Sequence, residues 1–231
     1  MTPMSVILCD FDGTIVPEDV TDALLERFAL PEWQILEQDW RAGRIGSRAC
    51  MAGQVELLRV TTEELNRYLD SVEMDPAFPA FVAHVLDLGW KLVVVSDGID
   101  YAIHRILRRY GLGHIPVLAN HLECLAGGRY RLTFPHANQD CKTASGTCKC
   151  GIARREEMAG PVQILVGDGT SDFCVATAVQ VVLAKDRLLH HCRMQGLPHL
   201  PFTDFDTCLA ILASPAFAIW RTRAGLSHSP F

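Results

Sequence analysis

The chain has 231 residues, 49% of them hydrophobic, and a formal net charge of -6. This length suits one large domain, or a core domain with a smaller one inserted. The acidic balance argues against binding nucleic acid through a basic surface, and no apolar run approaches the length of a membrane span, so we expect neither partner.

The first predicted element is a buried strand at residues 5–10 that ends in acidic residues. Residues 10–14 are Asp-Phe-Asp-Gly-Thr, which places Asp10 and Asp12 one residue apart after an apolar run. Alternation along a strand points both side chains to one side, and open α/β sheets bind ligands at the carboxyl ends of their strands. Two like charges this close favour a cation such as Mg²⁺ between them. Asp-x-Asp-Gly alone is more typical of a simple turn, so the functional interpretation depends on the later motifs.

Residues 17–75 change to a helical pattern. We expect four short amphipathic helices that form a small bundle, the first starting near Asp19. The fourth begins at Thr61, where Glu64 three residues later completes a capping box. The insert therefore follows the first strand directly.

Strands alternate with helices from residue 76 onward. Strands are predicted at residues 91–95, 115–119, 162–166 and 179–183, helices at 78–88 and 99–110, and a hairpin at 121–136. A helix follows Cys150, two more helices close the domain, and the polar tail from Arg221 is expected to be loose. Alternating strands and helices predict an α/β fold with a parallel sheet and right-handed crossovers. The core would comprise residues 1–16 and 76–231, and the helical cap residues 17–75.

Three of these strands end in polar clusters that should converge at one edge of the sheet. The clusters are Asp10 with Asp12, residues 96–98 (Ser-Asp-Gly), and Asp168 with Asp172. Phosphoryl transfer needs a nucleophile, an acid/base, a metal and donors to the equatorial oxygens. The chain offers each of these, so phosphoryl chemistry is the leading interpretation.

Each cluster can be given a role. Asp10 can accept the phosphoryl group and hold the cation, while Asp12 can protonate the leaving oxygen and then activate water. Asp168 adds a metal ligand, supported from behind by Asp172 and Thr14.

The remaining polar groups would hold the phosphate. Ser96 and backbone N–H groups near Gly98 can bind phosphate oxygens at a helix N-terminus. Asp97 belongs to the same phosphate-binding segment and is expected to cap the helix that follows. A lysine must offset the remaining negative charge. Lys149 opens a predicted helix and so has a fixed base, whereas Lys142 lies in an irregular polar loop, so Lys149 is preferred.

These four ordered motifs resemble the haloacid dehalogenase-like hydrolase superfamily, over nearly the whole chain. The resemblance implies a Rossmann-like core, dependence on Mg²⁺ and an aspartyl-phosphate intermediate. It implies that Asp10 is the nucleophile, Asp12 the acid/base and Asp168 a metal ligand, with the backbone carbonyl of Asp12 also on the metal. Ser96 and Lys149 would hold the phosphoryl group. The helical insert resembles the cap of the phosphoserine phosphatase-like branch.

Four segments carry a closer resemblance, which concerns the substrate: residues 31–33, 135–136, 148–149 and 197–202. These resemble the 2-hydroxy-3-keto-5-methylthiopentenyl-1-phosphate phosphatases of methionine salvage, which implies a small phosphorylated metabolite as substrate. The match departs from that pattern at Cys150-Gly151, where proline is expected. Phosphoserine, phosphocholine or phosphoethanolamine therefore remain alternatives. A phosphotransferase or mutase, and a silent binding module, are the alternatives from other classes.

Nine cysteines are many for a chain of this size. The odd count favours reduced thiols in the cytoplasm over a secreted disulfide framework. We expect no signal peptide, because residues 1–4 lack a basic region followed by a long apolar one. Cys141, Cys148 and Cys150, with His136, could bind zinc, but the spacing favours a loop of free thiols.

Two further groups are read as structural. Adjacent His190 and His191 would face different ways on a helix, so a metal site there is not favoured. Trp33 and Trp40 are assigned to the core of the helical bundle rather than to a cofactor site.

Overall fold

The structure is a computed structural model that describes residues 5–215 and residue 217. A sheet of seven strands, in the order β4-β3-β2-β1-β5-β6-β7, forms its centre. All neighbouring strands pair in parallel except β3 and β4, which are antiparallel. The strands are Val6–Cys9 (β1), Lys91–Ile99 (β2), Val117–Leu125 (β3), Arg129–Thr133 (β4), Gln163–Gly167 (β5), Val181–Ala184 (β6) and Leu200–Pro201 (β7). The predicted α/β fold with a largely parallel sheet is therefore confirmed.

Helices cover the sheet and form the insert. They are Val20–Phe28 (α1), Trp33–Arg41 (α2), Ser47–Glu56 (α3), Thr62–Leu69 (α4), Phe78–Asp87 (α5), Asp100–Arg109 (α6), Lys149–Ala153 (α7), Phe173–Ala176 (α8), Asp186–Gln195 (α9) and Phe205–Leu212 (α10). No helix within the described residues is long and apolar enough to cross a bilayer. The expectations for residues 1–4 and for the tail from Arg221 lie outside the described residues.

Strand β1 is central and fully buried, because apolar side chains point to both of its faces. Ile7 and Cys9 pack into one core cluster, together with residues of α5, α6 and α10. Val6 and Leu8 pack into the other, together with residues of α7, α8 and α9. A continuous apolar run is what a parallel strand covered on both faces requires.

The register of the three central strands brings their carboxyl ends together. Cys9 lies opposite Val94 of β2 and Val166 of β5. The residues that follow these positions are the three polar clusters of the sequence. Parallel pairing therefore places all three clusters at one edge of the sheet.

The insert contains the four predicted helices, α1–α4, between β1 and α5. The capping box at α4 is confirmed: Thr61 Oγ1 accepts a hydrogen bond from Glu64 N at 3.2 Å, and Glu64 Oε2 accepts one from Thr61 N at 3.1 Å. The insert also contacts the β3–β4 hairpin, where the hydroxyl of Tyr130 donates to the carbonyl of Val60 at 3.1 Å.

This contact supports a prediction about stability. Tyr130 is buried, so Tyr130→Phe should leave the Val60 carbonyl without this partner and lower the free energy of unfolding by about 1 kcal/mol. Urea denaturation followed by circular dichroism measures the change. An unchanged midpoint would show that the hairpin contact contributes nothing to stability.

Two elements differ from the sequence expectation. The predicted strand at 115–119 and the first arm of the hairpin are one continuous strand, β3, which pairs with β2 at its start and with β4 beyond His121. Strand β7 was not predicted, because two residues that pair only with the edge strand β6 leave no periodic signal.

Candidate active site

Asp10, Lys149 and Asp172 form a buried line at the carboxyl end of the sheet. Lys149 Nζ lies 2.7 Å from Asp10 Oδ2 and 2.8 Å from Asp172 Oδ1. Burial acts to lower the pKa of Lys149, but the charges of Asp10 and Asp172 outweigh it and raise that pKa, so the ammonium stays charged. These two ion pairs join the end of the first strand to two segments far along the sequence.

Lys149 takes this position because it opens α7 beneath the sheet edge, and only 3% of it is exposed. Lys142, by contrast, is exposed in the preceding loop. The structure therefore brings Lys149 to the carboxylates and leaves Lys142 in solvent. Asp172 was predicted to support the metal ligand Asp168 from behind. In the structure its carboxylate contacts Lys149 and so fixes the position of that lysine.

Asp168 follows β5 and is held by the first motif. Thr14 Oγ1 donates to Asp168 Oδ1 at 2.6 Å. Gly13 lets the two segments approach, because its φ is +72° and a side chain there would begin 2.5 Å from Asp168 Oδ2. Burial raises the pKa of Asp168, and the Thr14 hydrogen bond opposes that rise. The sequence prediction that Thr14 would support Asp168 agrees with this contact.

Asp12 faces a different set of groups from Asp10. Its Oδ1 accepts a hydrogen bond from Val20 N at 2.9 Å, at the start of the insert, and its Oδ2 lies 3.4 Å from Ser96 Oγ. Gly98 N donates to that same hydroxyl at 2.9 Å. Burial, followed by the charge of Asp19, raises the pKa of Asp12 to about 8, which favours the protonated form of this carboxyl group near neutral pH.

Asp97 does not cap a helix, and that expectation was wrong. Strand β2 continues through Ile99, and α6 starts at Asp100 without a side-chain cap. The Asp97 carboxylate instead accepts hydrogen bonds from Thr147 N at 2.8 Å and Ser47 Oγ at 3.3 Å. It therefore ties the sheet edge to the loop before Lys149 and to the insert.

Three carboxylates could hold a cation. Ligand oxygens of Asp10, Asp168 and Asp172 all lie within 4.8 Å of one another. Burial, followed by the charge of Asp172, raises the pKa of Asp10, because one lysine does not balance three acids in a buried site. Carboxylate oxygens with excess negative charge are the donor set that a hard divalent cation prefers, so the site fits Mg²⁺.

The cysteines form no comparable group. Within residues 5–215 and 217, this acidic triad is the one cluster of three or more potential ligand side chains at such distances. Cys141, Cys148 and Cys150 are all free thiols. His190 is exposed and His191 stacks on Phe173, with ring centroids 3.9 Å apart.

A sequence profile of the haloacid dehalogenase-like hydrolases matches residues 7–177. The chain belongs to this family. It is 33% identical over 208 residues to a 2-hydroxy-3-keto-5-methylthiopentenyl-1-phosphate phosphatase of Geobacillus kaustophilus, covering 89% of this chain and 94% of the relative. It is 34% identical over 205 residues to the phosphatase of the same name from an Exiguobacterium species, covering 86% and 93% of the two chains. The protein is therefore a phosphatase that acts on a phosphorylated substrate.

Solved structures show the same fold. A phosphoserine phosphatase with an analogue of its phospho-aspartyl intermediate superposes with a TM-score of 0.66 at 20% identity, covering 90% of this chain and 99% of that chain. A substrate-bound phosphoserine phosphatase gives a TM-score of 0.65 at 19% identity, covering 91% and 99%. At this identity the likeness concerns the fold alone.

The phosphatase has a cavity of about 410 Å³ above the carboxylates. One wall is the sheet edge, and the other comes from the insert through Trp40, Met51 and Gln54, with Arg187 at the rim. None of these four residues was predicted to line the site, because they carry no motif and become neighbours only when the insert folds over the sheet.

Trp40 also corrects a prediction. Trp33 is partly buried against the core, but Trp40 is 41% exposed and lines the cavity. Helix α2 has no fully buried residue, so its aromatic side chains do not form the centre of a bundle. The apolar pattern of α2 includes a surface that faces the cavity as well as one that faces protein.

Proposed function

We propose that this phosphatase is a Mg²⁺-dependent phosphomonoester hydrolase that works through an aspartyl-phosphate on Asp10. One observation carries the proposal: Lys149 holds Asp10 at the floor of the cavity, 2.7 Å away, within a cluster of two further acids. Lys149 opposes the rise in the pKa of Asp10 that burial and Asp172 cause, and its positive charge draws in a phosphate group.

The reaction has two steps at Asp10. A carboxylate oxygen attacks the phosphorus, a P–O bond to Asp10 forms, and the P–O bond to the leaving group breaks. Asp12, whose protonated form is favoured near neutral pH, gives its proton to the leaving oxygen. Asp12 then accepts a proton from the water that attacks the phosphorus and releases Asp10. Ser96 and Lys149 bind the phosphoryl oxygens, and Gly98 orients the Ser96 hydroxyl.

The metal would be held by Asp10, Asp168 and the backbone carbonyl of Asp12. When bound, Mg²⁺ supplies positive charge that offsets the phosphate and the acids around it. Asp172 positions Lys149, and Thr14 positions Asp168 through the 2.6 Å hydrogen bond.

Asp168→Asn should raise the Mg²⁺ concentration needed for half-maximal activity by roughly tenfold or more, because a neutral amide replaces a charged ligand. Titration of phosphate release against Mg²⁺ measures this change, and Asp87→Asn, an exposed residue on α5, is the matched control. An unchanged Mg²⁺ requirement in Asp168→Asn would remove Asp168 from the metal site.

The substrate would be a small metabolite, with 2-hydroxy-3-keto-5-methylthiopentenyl-1-phosphate as our first candidate. The names of the relatives support this choice. A cavity of about 410 Å³ suits a compound of that size. Residues 17–75 would act as the cap that encloses it over the core of residues 1–16 and 76–231, and methionine salvage in the cytoplasm would be the setting.

Phosphate release from a panel of phosphomonoesters, with and without Mg²⁺, tests the proposal. The panel includes the enol phosphate generated in situ, phosphoserine, phosphocholine and phosphoethanolamine. Preference for the enol phosphate is expected. Preference for phosphoserine would be consistent with the aspartyl-phosphate mechanism but would reject the assignment to methionine salvage. Transfer of the phosphoryl group to an added alcohol in place of water would indicate a phosphotransferase. Mg²⁺-independent hydrolysis would overturn the proposed metal.

The covalent step has its own test. Acid quenching during turnover, followed by mass spectrometry, should find one phosphoryl group on the peptide that contains Asp10. Phosphorylation on another residue would assign the nucleophile elsewhere.

A further inference from the structure

The hydroxyl of Thr21 lies at the cavity, and the proposed reaction does not use it. Thr21 is the second residue of α1, and only 9% of it is exposed. It lines the cavity, yet no hydrogen bond joins its hydroxyl to any residue in the described part of the chain. A buried polar group without a partner is unfavourable, because it has lost its hydrogen bonds to water. An unpartnered hydroxyl in the wall of a cavity therefore indicates a ligand that binds to it.

Two backbone hydrogen bonds fix the position of Thr21. Val20 N, one residue earlier, donates to Asp12 Oδ1 at 2.9 Å, which ties the first turn of α1 to the proposed acid/base. Asp19 is the N-cap of the same turn, and its Oδ1 accepts a hydrogen bond from Asp22 N at 2.9 Å. Neither contact uses the Thr21 hydroxyl, so this hydroxyl is not needed to hold the helix in place.

Gly98 leaves a small space in which the Thr21 hydroxyl meets two groups of the proposed reaction. A side chain on Gly98 would begin 2.5 Å from Asp12 Oδ2 and 3.0 Å from Ser96 Oγ. The Thr21 hydroxyl oxygen lies 3.5 Å from the same point. The Asp12 and Ser96 oxygens are 3.4 Å apart and are partners of each other. The space is therefore bounded by three oxygens, of which that of Thr21 has no partner among the described residues.

The roles of the other two groups define which part of a substrate reaches Thr21. In the proposed reaction Ser96 binds the phosphoryl oxygens, and Asp12 protonates the oxygen that leaves. The carbon atoms attached to that oxygen then extend from Asp12 towards the insert, where Thr21 lies. A threonine hydroxyl is uncharged and can both donate and accept, so it suits a neutral oxygen group. A cationic amine would favour the carboxylates of Asp19 and Asp22, which line the same cavity.

We propose that Thr21 determines substrate specificity by hydrogen bonding to a hydroxyl or carbonyl oxygen on the carbon next to the ester carbon. The enzyme therefore prefers phosphate esters that carry an oxygen at this position. The inference rests on the proposed function, because the role of Asp12 defines which part of the substrate meets Thr21. The compound in the names of the relatives, a 2-hydroxy-1-phosphate, carries a hydroxyl at this position.

The expected discrimination follows from burial of the Thr21 hydroxyl. A site that hydrogen bonds a substrate hydroxyl rejects an analogue without it, because the hydroxyl of the protein is then left unpaired. Valine in place of Thr21 keeps nearly the same shape and removes the hydroxyl. It should therefore remove the discrimination without closing the cavity.

The test compares 2-hydroxyethyl phosphate with propyl phosphate, which has a methyl group in place of the hydroxyl. Phosphate release at saturating Mg²⁺ gives kcat/KM for each ester. The parent should prefer 2-hydroxyethyl phosphate by roughly tenfold. Thr21→Val should lose this preference because its kcat/KM falls for 2-hydroxyethyl phosphate alone. Thr21→Ser, which keeps a hydroxyl, should retain the preference.

Differential scanning calorimetry supplies a readout independent of activity. The Thr21 hydroxyl has no partner among the described residues, so Thr21→Val should melt at the same temperature as the parent or higher. Thr177→Val is the matched control, because Thr177 is exposed and does not line the cavity. It should leave the preference between the two esters unchanged.

Four results would overturn the inference. They are a parent that hydrolyses both esters equally well, a preference that persists in Thr21→Val, an equal loss on both esters in that variant, and a lower melting temperature that reveals a structural partner. A selective loss on phosphoethanolamine would reject the neutral oxygen group in favour of an ammonium. Failure of the proposed function would appear differently, as a parent without Mg²⁺-dependent phosphate release from any ester.

Discussion

Asp10→Asn is expected to lower phosphate release by roughly 10⁴-fold or more, the scale on which removal of a covalent nucleophile acts. The amide has nearly the shape of the carboxylate, but it cannot form the acyl phosphate. Asp10 Oδ1 accepts a hydrogen bond from Phe11 N at 2.8 Å, and an amide oxygen can accept the same bond. The fold should therefore survive the change.

Asp10→Asn should not destabilise the protein, although it removes the activity. Burial and the charge of Asp172 raise the pKa of Asp10, so the carboxylate is held there at a cost in folding free energy. Removing its charge should leave the melting temperature unchanged or raise it. Differential scanning calorimetry at neutral pH, with Asp87→Asn as the control, measures this. Retained activity in a folded Asp10→Asn protein would show that another group attacks the phosphorus.

The main features of this site could be predicted because they depend on short-range pattern. Asp10 and Asp12 directly follow a buried strand, which places both carboxylates at the edge of the sheet where the strands end. Parallel pairing aligns Cys9 with Val94 and Val166. The motifs at these strand ends then meet without further information. The capping box at Thr61 is local in the same way.

The remaining features depend on contacts between distant segments. Asp97 bonds to Ser47 and Thr147, each 50 residues away, and no local pattern distinguishes that role from a helix cap. Trp40 looks like any core aromatic on an amphipathic helix until the insert is placed over the sheet. Sequence periodicity shows which faces are apolar, but it does not show what each face meets.

Lys149→Met is expected to lower phosphate release by roughly 10²–10³-fold, because the site loses its fixed positive charge next to the attacking carboxylate. Methionine keeps the length and apolar stem of lysine, so the packing changes little. Asp10 and Asp172 would then face each other without the ammonium that lies 2.7 and 2.8 Å from them. Removing one partner of a buried ion pair lowers the free energy of unfolding by about 3–5 kcal/mol when the remaining partner stays charged and buried.

The pH dependence of stability distinguishes two causes of destabilisation in Lys149→Met: the loss of the ammonium charge and the loss of packing. The pKa of Asp10 is raised in the folded protein, so in Lys149→Met the carboxyl takes up a proton more readily on folding, and the destabilisation should shrink as the pH falls towards acid values. A packing defect would persist at every pH. Lys142→Met, an exposed lysine in the same segment of chain, is the matched control and should retain activity and stability. If Lys142→Met is inactive and Lys149→Met is active, the lysine that binds phosphate is Lys142, and the buried ion pair serves the fold alone.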